Sequence, residues 1–156
     1  MQEVIILSGI SGSGKSTFAK EHARSVIVSA DHYFIRNGIY KFDPSKLGEA
    51  HGTCFKNYIR LLQTGELTSN PRKIIVDNTC TTESEIAPYM IGAQAFGADA
   101  RIITLHCDPD IAAARNGGRA PIHAVYRQFE NLKARKLPPW WSNANYNTTG
   151  GAPALM

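Results

Sequence analysis

The 156-residue sequence lacks a long apolar run, a secretory leader and a paired set of cysteines. No run reaches the roughly 18 apolar residues that a membrane-spanning helix needs, which excludes a membrane-spanning protein. The start Met1-Gln2-Glu3 has no basic residue before its short apolar run, which indicates no leader. Cys54, Cys80 and Cys107 are odd in number and widely spaced, which argues against a disulfide framework or a zinc site. These absences predict a protein of the reducing cytoplasm.

Charged side chains are absent from residues 137–156, and the net charge of +4 is concentrated just before that segment. Residues 1–100 carry ten basic and ten acidic side chains, whereas residues 101–136 carry seven basic and three acidic ones. A basic segment suits a polyanionic partner such as nucleic acid or the phosphate tail of a nucleotide. An ordinary solvated helix face explains the same charge equally well, so charge alone leaves both interpretations open.

Apolar, β-branched runs alternate with stretches of helix length along the chain. The predicted strands cover residues 4–7, 26–28, 73–76 and 101–105. The predicted helices between them cover about residues 15–24, 45–63 and 83–96. This order predicts a single α/β domain with a parallel sheet covered by helices on both faces.

A last helix is predicted over about residues 122–136. Its apolar residues follow i, i+3, i+4, i+7 spacing, which predicts one packed face: Ile122, Val125, Tyr126, Phe129 and Leu132. Residues 36–44 contain Asn37-Gly38 and Asp43-Pro44 and are interpreted as a loop. Residues 138–156 begin with two prolines and are rich in Asn, Gly and Thr, so we expect a loosely packed tail.

Residues 9–17 fit the phosphate-binding pattern G-x-x-x-x-G-K-[ST], directly after a predicted strand and at the start of a helix. Such a loop points successive backbone amides at phosphate oxygens. We expect Lys15 to reach the β- and γ-phosphates and the Ser16 hydroxyl to bind Mg²⁺. The residues predicted to contact nucleotide are Gly9, Ser11, Gly12, Ser13, Gly14, Lys15, Ser16 and Thr17. The pattern and its context together predict a P-loop NTPase fold.

Two aspartates follow predicted strands, at the sheet edge where ligands bind in open α/β folds. Asp77 ends the strand Lys-Ile-Ile-Val-Asp and is the expected second Mg²⁺ residue. Asp31 follows the second strand and is a candidate general base for an acceptor hydroxyl. Either carboxylate would also serve as a helix or turn cap, and His32 is a weaker candidate for the base.

Arg115 and Arg119 flank the Gly117-Gly118 hinge in residues 114–121, which join two predicted helices. Such a segment is expected to close as a lid over bound nucleotide, with guanidinium groups on phosphates that gain charge during transfer. Surface arginines in a flexible loop are the alternative.

These segments, in this order, resemble the phage-type polynucleotide kinase family of P-loop kinases over about residues 4–135. The resemblance includes residues 29–34 (Ser-Ala-Asp-His-Tyr-Phe) and 74–79 (Ile-Ile-Val-Asp-Asn-Thr) beside the loop and the arginines. It implies a three-layer kinase domain over residues 1–137 with a helical lid, using ATP and Mg²⁺. It further implies that Asp31 is the general base for a 5′-hydroxyl and that Arg115 and Arg119 are the lid arginines.

The sequence departs from that family on the acceptor side. His32 stands where the family has an acidic residue, and Phe34 stands where it has an arginine for the acceptor phosphate. Some phage relatives phosphorylate hydroxymethyl groups on DNA bases such as 5-hydroxymethyluracil. Tyr33, Phe34 and Tyr40 are candidates to stack a flipped base, with core packing as the alternative.

The sequence therefore predicts a kinase that phosphorylates a polynucleotide hydroxyl, with DNA favoured over RNA. A free nucleoside or small-metabolite kinase is the rival enzyme, and a non-catalytic nucleotide-binding switch is the rival of another class.

Overall fold

The predicted alternation of strands and helices is present in the computed structural model, which describes residues 2–22, 24–65 and 73–156. The strands are β1 (Glu3–Ser8), β2 (Ser25–Val28), β3 (Ile35–Arg36), β4 (Ile39–Tyr40), β5 (Lys73–Asp77), β6 (Asp99–His106), β7 (Asn143–Asn147) and β8 (Ala154–Leu155). The helices are α1 (Lys15–Lys20), α2 (Leu47–Gly65), α3 (Glu83–Ala95), α4 (Pro109–Asn116) and α5 (Ile122–Ala134). Short 3₁₀ turns cover Ala30–Phe34 and Pro44–Lys46.

The main sheet has the strand order β2-β5-β1-β6-β7-β8. Its first five strands are mutually parallel, and β8 pairs antiparallel with β7. In the register at the centre, Val4 lies opposite Ile74 on one side and Ala100 on the other. The predicted α/β class with a parallel sheet is therefore confirmed. The parallel arrangement brings the carboxyl ends of β1, β2 and β5 to one edge, where the phosphate-binding loop begins.

Alternate side chains of the central strands face two separate cores, as the period of a strand requires. Val4 and Ile6 pack with α2 and α3 on one face, around the fully buried Tyr58. Ile5 and Leu7 pack with α1 on the other face. A third cluster joins the loop after β1 to α4 and α5. The sheet is thus the middle of three layers, and α4 and α5 add a cap at the functional edge.

The helices differ from their predicted bounds mainly at α1, which ends at Lys20 rather than near residue 24. Arg24 has a φ of 59°, in the left-handed region that a helix does not use. Asp108 accepts hydrogen bonds from the backbone of Asp110 and Ile111 and caps α4, as its sequence position indicated. Within the described residues, no helix is both long and apolar enough to cross a membrane.

The packed face predicted for α5 is only partly correct. Val125 and Leu132 are buried, but Ile122 is 59% exposed and Tyr126 is 38% exposed. Their place inside is taken by Ala124, which is 9% exposed. The helix packs against α4 and the loop after β1, and the small Ala124 side chain lines the crevice between them.

The loose packing expected for residues 138–156 is not what the structure has, because β7 extends the parallel sheet next to β6. Its sequence Asn-Ala-Asn-Tyr-Asn alternates polar with apolar residues, but three of its five residues are asparagines, a residue type that is depleted in strands. Side-chain hydrogen bonds fix it instead: Asn143 Oδ1 accepts from Thr104 Oγ1 at 2.7 Å, and Asn145 Oδ1 is 2.8 Å from His106 Nε2. The next residue, Thr148, is 1% exposed.

Candidate functional site

The loop between β1 and α1 is fixed by contacts with two other elements. Gly9 N donates to Thr79 O at 2.9 Å. Gly12 and Gly14 have φ values of 86° and 97°, a conformation that favours glycine. A Cβ at Gly12 would stand 2.0 Å from the Ala112 carbonyl oxygen, so α4 packs directly on the loop. Gly12 is therefore required both by its backbone conformation and by the close approach of α4, and Gly14 by its conformation alone.

Lys15 lies within this loop with only 8% of its surface exposed. Its Nζ donates to Ile10 O at 2.9 Å. Burial lowers the pKa of Lys15, while the negative charges of Asp77 and, more weakly, Asp31 oppose that shift. The ammonium is thus held between the loop and two carboxylates.

Ser16 and Asp77 meet across the start of α1 and the end of β5. The Ser16 hydroxyl donates to Asp77 Oδ2 at 3.0 Å. A hydroxyl and a carboxylate are hard oxygen ligands of the kind that Mg²⁺ prefers, and this ion commonly takes one or two protein ligands beside substrate phosphates. The residues present therefore fit the metal that the sequence predicted, and they would hold it at the mouth of the loop.

Asp31 is carried by the 3₁₀ turn after β2. The turn is capped by Ser29, whose Oγ accepts from Asp31 N at 3.2 Å, so the Asp31 carboxylate is not the cap. Buried Asn78 anchors the turn, because its Oδ1 accepts from Ala30 N at 2.9 Å. The Asp31 side chain is exposed to the crevice, where Tyr40 Oη donates to its Oδ1 at 3.4 Å.

A crevice of about 320 Å³ brings the predicted residues together. Ser11, Gly12, Lys15 and Ser16 of the loop line it together with Asp77, Asp31 and Arg119. Gly9, Ser13, Gly14 and Thr17 are not among its lining residues: Ser13 is completely buried, whereas Thr17 is exposed. The Ser13 carbonyl accepts from Thr148 Oγ1 at 2.7 Å, so the segment after β7 braces the loop from the side away from the crevice.

The two arginines of the lid segment have different surroundings. Arg119 lines the crevice, with its Cζ 4.0 Å from the centroid of the Tyr40 ring. Arg115 is not among the described residues that line it, and its guanidinium donates to Thr149 O at 2.9 Å. Arg115 lies in the last turn of α4, beside the chain that follows β7. Of the two arginines predicted to contact phosphates, Arg119 therefore lies at the crevice with Lys15, and Arg115 does not.

Sequence reasoning missed the contribution of α5 to the crevice. Ala124, Arg127 and Gln128 line it, and Gln128 Oε1 accepts from Ser11 N at 2.9 Å. The spacing i, i+3, i+4 puts these three side chains on one helix face. That spacing was a usable signal, but the apolar i, i+3, i+4, i+7 spacing in the same segment is the stronger pattern. His51 of α2 also lines the crevice and was not predicted to do so.

The three aromatic residues proposed to stack a base form neighbouring ring pairs, with centroids 5.4 Å apart for Tyr33 and Phe34 and 6.3 Å apart for Phe34 and Tyr40, but their surroundings differ. Phe34 is 5% exposed and belongs to the core, as the alternative held. Tyr33 donates to Glu49 Oε2 at 2.6 Å and lines a different, smaller cavity. Tyr40 lines the crevice, together with Phe42. Of the three candidates, Tyr40 is the one in position to meet an acceptor.

Part of the chain is similar to a much longer human protein. It is 39% identical over 95 residues to NEDD4-binding protein 2 of Homo sapiens, an alignment that covers 58% of this chain and 5% of that relative. The chain thus spans about one-twentieth of the length of the relative that it matches.

Solved kinases share the fold. A gluconokinase from Sinorhizobium meliloti superposes with a TM-score of 0.60 at 16% identity, covering 93% of this chain and 82% of that one. The APS kinase CysC of Mycobacterium tuberculosis, solved with AMPPNP and APS, gives 0.55 at 15% identity, with coverages of 94% and 88%. Residues 4–139 match the AAA_33 family, described as an AAA domain. That match covers most of the chain, which therefore belongs to the AAA_33 family.

Proposed function

We propose that this chain transfers the γ-phosphate of ATP to a hydroxyl group of a polynucleotide. The acceptor is a 5′-hydroxyl end or a hydroxymethyl group on a base, such as 5-hydroxymethyluracil in DNA. One observation carries the proposal: Lys15, Asp31 and Arg119 line a single crevice. A phosphate-binding lysine, a carboxylate and an arginine are the groups that phosphoryl transfer to a hydroxyl requires.

On the donor side, the proposed function uses the phosphate-binding loop together with Ser16 and Asp77, the two residues that fit Mg²⁺. The loop amides and Lys15 bind the phosphates, as AMPPNP bound to the structurally similar APS kinase supports. Ser16 and Asp77 would hold Mg²⁺, which would neutralise charge on the phosphate oxygens. Gln128, through the Ser11 amide, keeps the loop against α5.

The acceptor side uses Asp31 and the lid. Asp31 accepts the proton of the attacking hydroxyl, since its carboxylate is exposed to the crevice and is not consumed by capping. Arg119 neutralises the charge that spreads over the transferred group. Arg115 has no part in the transfer itself, and its guanidinium holds the chain at Thr149.

A polynucleotide acceptor is supported by the charge and rings at the crevice mouth. Arg119 and Arg127 provide positive charge, and Tyr40 and Phe42 provide aromatic surface. A small hydroxylated metabolite is the second candidate, because about 320 Å³ is at the lower end of the size of ligand pockets.

The test is transfer of radiolabelled γ-phosphate to a panel of acceptors under identical conditions. The panel contains a 5′-hydroxyl oligonucleotide, hydroxymethyluracil DNA, free nucleosides and gluconate. Labelled polynucleotide, but little labelled nucleoside or gluconate, is the expected result. Labelling of a small acceptor alone would establish the second candidate. Binding of AMPPNP without transfer to any acceptor would indicate the non-catalytic switch.

A further inference from the structure

Tyr40 contacts Asp31 and Arg119, the two side chains that the proposed function places on the acceptor side. Its ring lies 4.0 Å below the Arg119 Cζ, and its hydroxyl donates to Asp31 Oδ1 at 3.4 Å. One side chain thus links the lid segment to the 3₁₀ turn after β2. Nothing in the motif spacing required this link, because Tyr40 belongs to a separate hairpin.

Tyr40 is held in place by a short hairpin that is bonded to the 3₁₀ turn carrying Asp31. It lies in β4 opposite Ile35 of β3, and Asn37 and Gly38 turn the hairpin with φ values of 53° and 76°. The adjacent Lys41 N donates to the carbonyl of buried Phe34 at 2.9 Å. Burial and the charge of Asp31 raise the pKa of Tyr40, against the opposing charge of Arg119, so the phenol stays a neutral donor at neutral pH.

The geometry leaves both partners free to react. The Arg119 Cζ lies over the Tyr40 ring, and a guanidinium has five N–H donors, more than this contact occupies, so donors remain for phosphate oxygens. A carboxylate has two oxygens, and the Tyr40 hydroxyl occupies only Oδ1 of Asp31. The second oxygen can therefore accept from an acceptor hydroxyl.

We infer that Tyr40 is a positioning residue for phosphoryl transfer: its ring holds Arg119 and its hydroxyl aims Asp31. This inference rests on the proposed function of the crevice. The two contributions come from different parts of one side chain, so two substitutions separate them.

The first test measures kcat and the KM for ATP in Tyr40→Phe and Tyr40→Leu. Loss of the hydroxyl in Tyr40→Phe should lower kcat about 10-fold, and loss of the ring as well in Tyr40→Leu about 50-fold. The KM for ATP should change less than kcat in both. Tyr126→Phe is the matched control, because its hydroxyl donates to a carboxylate of Asp110 outside the crevice, and it should behave as wild type.

The second test substitutes Asp31 or Arg119, the two side chains that Tyr40 contacts. If the role of Tyr40 were merely structural, the rate cost of substituting it would not depend on either of them. In an Asp31→Asn background, Tyr40→Phe should cost little further rate. In an Arg119→Ala background, Tyr40→Leu should cost no more than Tyr40→Phe costs in the wild type. Unchanged kcat in both single variants, or costs that persist fully in both backgrounds, would overturn the inference.

A third measurement tests the contact between Tyr40 and Arg119 directly and does not depend on activity. Nuclear magnetic resonance should show the Arg119 side-chain protons shifted upfield by the ring in wild type and Tyr40→Phe, but not in Tyr40→Leu. Absence of that shift in wild type overturns the inference whatever the activity. The kinetic tests use the acceptor that wild type labels best, so labelling of a small acceptor alone refutes the polynucleotide proposal and still tests Tyr40. No transfer to any acceptor refutes both.

Discussion

Burial and charge act on Lys15 in opposite directions. Burial disfavours its ammonium form, whereas Asp77 and Asp31 favour it. Phosphates bound beside the loop would add further negative charge and so favour the ammonium. Nucleotide binding and protonation of Lys15 therefore reinforce each other. To reach a phosphate, the ammonium has to exchange its hydrogen bond with Ile10 O for one with the ligand.

Lys15→Ala should abolish transfer and leave the fold intact, because it removes the charge that contacts the β- and γ-phosphates. Transfer of radiolabelled phosphate and the melting temperature are the two measurements. Lys20→Ala, at the exposed end of the same helix, is the matched control and should keep wild-type activity. Turnover like that of wild type in Lys15→Ala would refute the assignment of the phosphate loop.

Asp31→Asn should lower the single-turnover rate by roughly 10²–10⁴-fold at saturating ATP, the usual contribution of a general base. Asparagine retains the size of the side chain and can still accept from Tyr40, but it cannot take a proton. The melting temperature should stay close to that of wild type, because Ser29 and not Asp31 caps the turn. An unchanged rate would remove Asp31 from the mechanism and direct attention to His32.

Residues close together in the chain were the predictable part of the site. Lys15 and Ser16 follow from a contiguous motif, and Asp31 and Asp77 follow from their places at strand ends. Gln128 meets the Ser11 amide across 117 residues of sequence, so only tertiary packing brings it there. The contact of Tyr40 with Arg119 depends in the same way on how the hairpin and the lid meet.

At the scale of elements, the lid segment separates two arginines that look equivalent in the sequence. Arg119→Ala should lower kcat by about 10³-fold, as for other arginine fingers, with a smaller effect on ATP affinity. Arg115→Ala should cost less in kcat, because its guanidinium holds Thr149 O outside the crevice. The measurement is kcat and the KM for ATP of both variants in steady-state kinetics. A larger loss of kcat from Arg115→Ala than from Arg119→Ala would reverse the two roles.

The segment after β7 makes a second element-scale prediction. Thr148→Val keeps the shape of the side chain but removes its hydrogen bond to Ser13 O, leaving a buried carbonyl unpaired. We expect a loss of about 1–3 kcal/mol in the free energy of unfolding, and weaker AMPPNP binding. Thr64→Val is the control, since among the described residues its exposed hydroxyl bonds to Arg60 O and Leu61 O, both within α2. Equal melting temperatures and AMPPNP affinities in wild type and Thr148→Val would show that the brace is unimportant.

Elements with apolar runs were predictable, whereas elements ordered by their neighbours were not. The central strands contain residues that favour buried strands, so their order along the chain was enough to predict the sheet. In β7, asparagines pair with Thr104 and His106 of β6, and a residue pattern within one segment does not report such partners.

At the scale of the whole molecule, fewer of the basic side chains of residues 101–136 are available to a ligand than their number in the sequence suggests. Arg135 is turned inward, where it donates to Cys80 O at 3.1 Å and to Thr104 Oγ1 at 2.7 Å. Lys133 pairs with Glu130 at 3.3 Å. Arg119 and Arg127 remain as the arginines of this segment that line the crevice. Because Arg119 is assigned to the transferred phosphate, we expect about one contact with the phosphates of the acceptor from this surface, made by Arg127, and not the seven that the count of basic residues suggests.

This number leads to a prediction about salt. The affinity for single-stranded nucleic acid falls with salt with a logarithmic slope of about 0.7 for each phosphate contact. With one contact, the KM for an oligonucleotide acceptor should rise about 3-fold between 50 and 200 mM salt. Arg127→Ala, with no contact left from this surface, should show almost no rise.

A nucleoside acceptor, which has no phosphate, is the control and should show almost no salt dependence of its KM. The measurement is steady-state kinetics at several salt concentrations with both acceptors and both proteins. An oligonucleotide KM as insensitive to salt as the nucleoside KM would mean that the crevice does not hold a polyanion. The small-metabolite acceptor would then be the better assignment, because such an acceptor needs only the hydroxyl-binding group at Asp31 and not a line of phosphate contacts.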